Sequence, residues 1–109
     1  MGSAAERAKL VRPGRTYVGQ QGFTYQAGVS RNTVGETSVC MNVLPMPPGA
    51  KANSHYHLGI DTIAYLLEGR CSVYYGDQLE HRAEVAAGEQ MFMPRDVPHA
   101  PVNDSGAPC

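Results

Sequence analysis

GAKANSHYHLGID (residues 49–61) sets two histidines, His55 and His57, on either side of a tyrosine, between a Pro-Pro-Gly turn and an acid, Asp61. In an extended chain alternate residues face the same way, so His55 and His57 project together and Tyr56 points opposite. Two imidazoles on one face can chelate a divalent ion. A pair of ordinary surface histidines has the same spacing, so the residues further out must decide.

Working outward, the chain reads as short strands separated by turn formers. FTYQAGV (23–29) alternates aromatic and small residues, and SRNTVGE breaks it. TSVCMNVL (37–44) is a strand with Val39, Met41 and Val43 on one face and Cys40, Asn42 and Leu44 on the other. ANSHYHL (52–58) is a short strand, and TIAYLLE (62–68) is apolar on both faces, as a buried strand would be. CSVYY (71–75), HRAEVAA (81–87), QMFM (90–93) and VPHAPV (97–102) follow, with GDQLE (76–80) as a hairpin connection. The twelve glycines and eight prolines in 109 residues supply the turns between them. The pattern predicts an all-β barrel or sandwich. Residues 4–10 read as one helical turn or a frayed arm, and 11–25 as an extended, turn-rich segment.

Composition narrows the function classes. Hydrophobic residues make up 42% and charged residues 17%, which fits one globular domain rather than a disordered chain. A net charge of −1 with scattered basic residues gives no electrostatic case for nucleic acid or an anionic membrane. No apolar run approaches the ~20 residues that span a bilayer, and MGSAAERAKL has no signal-peptide core. The expectation is a cytoplasmic protein. Cys40, Cys71 and Cys109, with no CxxC, read as small buried or terminal residues in a reducing compartment.

A third histidine, His99, lies in PHAP late in the chain, where a barrel can bring its strand beside the first pair. Around these residues the glycines, prolines and acids fall at fixed distances. Gly49, five residues, His55, one residue, His57, three residues, Asp61 and then Gly69 resembles the first motif of the cupin superfamily. Gly88, five residues, Pro94, Arg95, Asp96, two residues, His99, three residues and Asn103 resembles the second. The resemblance covers about residues 43–103. It implies a double-stranded β-helix, or jelly-roll barrel, holding a metal inside its mouth. The barrel would occupy residues 23–109. Residues 1–22 would form an N-terminal arm, exchanged in a homodimer. The closing C-terminal strands would lie outside the chain or come from a partner, since VNDSGAPC ends on a turn.

The resemblance implies one divalent transition metal per chain (Fe, Zn, Mn, Ni or Cu), held by His55, His57 and His99. Asp61 departs from the pattern. The family's acid is usually Glu, six residues before the closing glycine; Asp61 has the expected spacing from His57, but counting back from Gly69 reaches Thr62. Asp61 is therefore a candidate fourth ligand beside a three-histidine site, or else a turn residue. Asp96 stands where the family usually has Gly, at a position suited to a residue that tolerates left-handed backbone. His81 matches no motif position and reads as a surface residue. Met41, Met91 and Met93 read as core filling, and Tyr65, Tyr74 and Tyr75 read as typical strand residues, with an inward-pointing hydroxyl from one of them as the alternative.

Three functions fit such a site: a metalloenzyme such as an Fe-dependent dioxygenase acting on a small organic molecule, a Zn- or Mn-dependent isomerase or lyase, and a non-catalytic small-molecule-binding module. Fold alone does not choose among them.

Overall fold

The structure is a computed structural model that describes residues 7–19, 23–54 and 59–109. Among the described residues, eight strands and one short helix follow in order: β1 (Thr16–Val18), β2 (Thr24–Val29), α1 (Arg31–Val34), β3 (Met41–Val43), β4 (Thr62–Tyr65), β5 (Arg70–Tyr75), β6 (His81–Ala86), β7 (Gln90–Met93) and β8 (His99–Val102). No helix among the described residues is long and apolar enough to cross a membrane. The chain divides into two compact units, one of Met1–Gly19 with Thr24–Leu44, the other of Gln20–Phe23 with Pro45–Cys109.

The first unit is a three-stranded antiparallel sheet in the order β1-β2-β3. Tyr17 and Tyr25 face each other in register and stack with ring centroids 5.3 Å apart. Between Gln26 and Val29 the register with β3 slips. Gly28 makes the slip possible, because a side chain there would collide with the Met41 carbonyl, and its N–H donates to Asn42 Oδ1 instead. The break expected after β2 holds the single turn of α1. The Ser30 N–H donates to Thr33 Oγ1 (3.0 Å), whose hydroxyl donates to the Gly28 carbonyl (2.6 Å). Val39, Met41 and Val43 all stand exposed, Met41 at 73%. Met41 is therefore not core filling.

The second unit carries two sheets, β4-β7 and β6-β5-β8, all pairs antiparallel. β5 is central, and its alternation decides which face is which. Cys71 and Val73 lie opposite Val85 and Ala83 of β6, and Cys71, Val73, Val85 and Met93 form the buried core, with Leu66, Met91 and Cys109 packed against it. Met91 and Met93 fill the core from β7, as expected. Burying the three large apolar side chains Val73, Val85 and Met93 contributes on the order of 1.5–3 kcal/mol each. The other face of β5 carries Ser72, fully buried. Its hydroxyl donates to Asp104 Oδ2 (2.9 Å) and accepts from Arg82 Nε (3.1 Å).

The turns fall where the glycines predict. Gly49, Gly69 and Gly88 all have positive φ, at 81°, 79° and 89°. After β8 the chain turns through residues 103–109 and closes on itself: Cys109 and Met46 exchange both backbone hydrogen bonds, at 3.0 and 2.8 Å. Asn103 organises that turn from a fully buried position. Its Nδ2 donates to the carbonyls of Met46 (2.8 Å) and Ala107 (2.7 Å), and its Oδ1 accepts from the N–H and hydroxyl of Ser105.

Candidate functional site

Both ends of the two sequence motifs meet. The Gly49 N–H donates to the Asn103 carbonyl and the Asn103 N–H to the Ala50 carbonyl, each at 2.8 Å. Lys51 bridges to Val102, and the Ala52 N–H donates to Pro101 at 2.9 Å. The segment leading toward His55 and His57 thus runs antiparallel to the end of β8, the strand that carries His99. His55 and His57 themselves lie outside the described residues. At the opposite corners, the Ala87 N–H donates to Gly69 (3.1 Å) and the Gly88 N–H to Leu66 (2.9 Å), so the glycine closing the first motif adjoins the one opening the second.

His99 is 4% exposed. Its Nδ1 lies 2.9 Å from the Val97 carbonyl. A carbonyl only accepts, so Nδ1 is the donor in this contact. This is the orientation of a metal-ligating imidazole, held by its second nitrogen. The donor chemistry at His99 therefore fits a divalent transition metal.

Asp61 is engaged elsewhere. One carboxylate oxygen accepts from the Arg95 backbone N–H (2.9 Å) and from Nε (3.4 Å), while the other lies 3.2 Å from the guanidinium. The Arg95 side-chain and backbone hydrogen bonds hold the Asp61 carboxyl below the usual carboxylate range. Asp96, next in sequence, does take the left-handed conformation, with φ 65°, and its carboxylate accepts the Gly59 N–H at 3.2 Å. Together these contacts clamp the 59–61 turn to the Pro94-Arg95-Asp96 turn. Among the described residues, no three His, Cys, Asp or Glu side chains converge on one point.

Register reveals a row the residue types alone do not. Tyr75 of β5 lies opposite His99 of β8 on one side and His81 of β6 on the other. All three share the face that carries Val73 and Val85. Tyr75 and His81 stack with centroids 5.3 Å apart and planes 27° apart, and His81 Nε2 lies 3.5 Å from Glu80 Oε1. The other Glu80 oxygen accepts the Gln78 N–H at 2.8 Å. His81, an exposed residue as expected, is nonetheless aligned with His99. The signal was available in the sequence: odd-numbered residues along 81–85 share the face of the core residue Val85.

The family model described as the cupin domain matches residues 42–109. Among solved structures, a predicted oxalate decarboxylase from Thermotoga maritima is similar at a TM-score of 0.73 and 18% identity, over 92% of this chain and 91% of that one. Drosophila melanogaster CENP-C bound to CAL1 gives a TM-score of 0.70 at 14% identity, over 99% and 78%. KdgF from a Halomonas species gives 0.52 at 20% identity over 60% of this chain. The chain spans about half the length of KdgF (56%) and of a Bacillus halodurans protein (53%). None of the curated proteins matches at the sequence level. At these identities the structural likeness shows the fold, a cupin β-barrel. With both motifs closed on each other and the family model spanning well over half its length, the chain belongs to the cupin domain family.

Proposed function

We propose that the protein binds one divalent transition metal through His55, His57 and His99, and that it is a metalloenzyme acting on a small organic molecule within the barrel. The observation that carries this is His99: buried, on the core-facing side of β8, with Nδ1–H fixed on the Val97 carbonyl. Such a metal supplies a Lewis acid or a site where dioxygen and substrate meet. The chain's own residues would do the rest. Tyr75 and His81, in line with His99, offer a phenol and an imidazole to a ligand bound there, and Glu80 orients the imidazole. A dioxygenase is the first reading and a Zn- or Mn-dependent isomerase or lyase the second.

The non-catalytic binding module draws support from Asp61. Its carboxylate is committed to Arg95, and the three-histidine set is left without the family's acid. The proposed ligand set therefore excludes Asp61.

Elemental analysis of the purified and metal-reconstituted protein tests the reading. About one metal per chain is expected in the wild type, with loss in His99→Ala and His55→Ala. A wild-type chain that takes up no metal overturns it. Oxygen consumption with Fe(II) across a panel of small organic acids then separates the dioxygenase from the Lewis-acid reading, for which dioxygen is irrelevant. We also propose a homodimer in the cytoplasm. The exposed apolar row Ile63, Tyr65, Leu67 and Phe92 supports pairing, and sizing at two concentrations tests it.

A further inference from the structure

The structure assigns a modification site to Cys71 and Cys109: we propose that this thiol pair closes to an intramolecular disulfide when it meets a small-molecule disulfide such as oxidised glutathione. Three observations converge. Cys109 packs against the core cluster that contains Cys71. Each thiol influences the proton affinity of the other, which puts the two side chains close together. Both backbones are held in place independently of the sulfurs. Cys71 sits in β5, paired with Val85. Cys109 is pinned to Met46 by two backbone hydrogen bonds. Gly69, two residues before Cys71, sits so close that a Cβ there would fall 2.9 Å from Cys109 Cβ and 2.7 Å from the Pro108 carbonyl. The proposal requires that the bond close by side-chain rotation, with the two Cβ atoms about 3.5–4.5 Å apart as disulfide geometry demands.

Accessibility sets the order of events. Cys109 is partly exposed and Cys71 is buried. The Cys109 thiolate attacks one sulfur of oxidised glutathione, giving a mixed disulfide and releasing one glutathione thiol. Cys71 loses its proton to solvent, and its thiolate attacks the Cys109 sulfur. The second glutathione thiol leaves. The protein gives up two electrons and two protons, and one glutathione disulfide becomes two thiols. Burial raises both thiols above the usual cysteine range, Cys71 to about 11, so few thiolates are present near neutrality and closure is slow there and faster as pH rises. The bond would fasten the 103–109 turn to β5, the strand beside β8 and its His99. It neither requires nor alters the metal-site reading.

The test uses the full chain carrying Cys40→Ser, which removes the exposed third thiol. After incubation with oxidised glutathione at alkaline pH, thiol titration and non-reducing tryptic mass mapping are run. The expected result is loss of both thiols and a linked pair of peptides, residues 71–82 with 96–109, reversed by dithiothreitol. The melting midpoint should rise by about 15–20 °C, from closing a loop of nearly forty residues. Two persisting thiols, or glutathione adducts with no linked peptide, overturn the proposal. In Cys71→Ser, Cys109 should stop at the mixed disulfide; release of the adduct in that variant would equally overturn it.

Discussion

Replacing Asn103 tests the closure of the barrel directly. The side chain is fully buried and makes four hydrogen bonds, two donated by Nδ2 and two accepted by Oδ1. At about 1 kcal/mol net each, Asn103→Ala would cost on the order of 4 kcal/mol. Part of that is recovered. The Met46 carbonyl keeps the Cys109 N–H (3.0 Å), and the Ala107 carbonyl keeps the Ser105 hydroxyl (3.1 Å). About 3 kcal/mol remains, or roughly 15 °C in melting midpoint for a domain of this size. Asn103→Asp should be worse. It has no N–H to donate, and it aims a buried carboxylate at two carbonyl oxygens now 2.7 and 2.8 Å away. Urea titration followed by circular dichroism gives both values, with an unchanged slope confirming a common unfolding transition. The reasoning fails if Asn103→Ala lies within about 0.5 kcal/mol of wild type, or if Asn103→Asp matches or exceeds it in stability.

Three further outcomes are expected. The Asp61 carboxyl is held low by Arg95, so its contribution is complete above its unfolded value near 3.8 and is lost as pH falls through the depressed folded value. A wild-type stability profile between pH 2 and 6 should therefore bend down in a way that Asp61→Asn does not, and under the proposed three-histidine reading the variant should take up as much metal as the wild type; lower uptake would restore Asp61 to the ligand set. Gly69→Ala combines a positive φ with a clash against the Pro108 carbonyl, whereas Gly49→Ala at a similar φ meets open space. Denaturant titrations should give about 1 kcal/mol for Gly49→Ala and clearly more for Gly69→Ala, and equal losses would dismiss the contact. Ser72→Ala should cost about 1–2 kcal/mol, since it leaves Arg82 and Asp104 without their shared hydroxyl; a neutral result by the same titration would show the network to be dispensable.

Much of this fold is legible in the sequence, for local reasons. Residues 90–93 and 71–75 alternate between Gly-rich turns, and the strands lie there within a residue. Gly49, Gly69, Gly88 and Asp96 declare positive φ by their chemistry. What escapes a linear reading depends on register between distant strands. The period of two along 81–85 puts His81 on the face of Val85, but its alignment with His99 is set by β5, to which both strands pair. Likewise, the ion pair between Asp61 and Arg95, thirty-four residues away, is set by the fold and not by local sequence. Met41 has the alternation of a core residue on a face that stands exposed. Tyr75, one of three candidate tyrosines, is singled out by the same register.

The hydrogen bonds joining Gly49 to Asn103 and Gly69 to Ala87 carry a kinetic consequence. Each motif completes its corner only when residues from the other arrive, so neither half of the barrel has a finished edge of its own. Such non-local closures put folding on the slow side for a chain of this length, in the millisecond-to-second range of β-rich domains. Until they form, the strand that carries His99 and the segment that leads into the first motif are no better gathered than in the unfolded chain, and the metal site proposed above would be assembled only as folding completes.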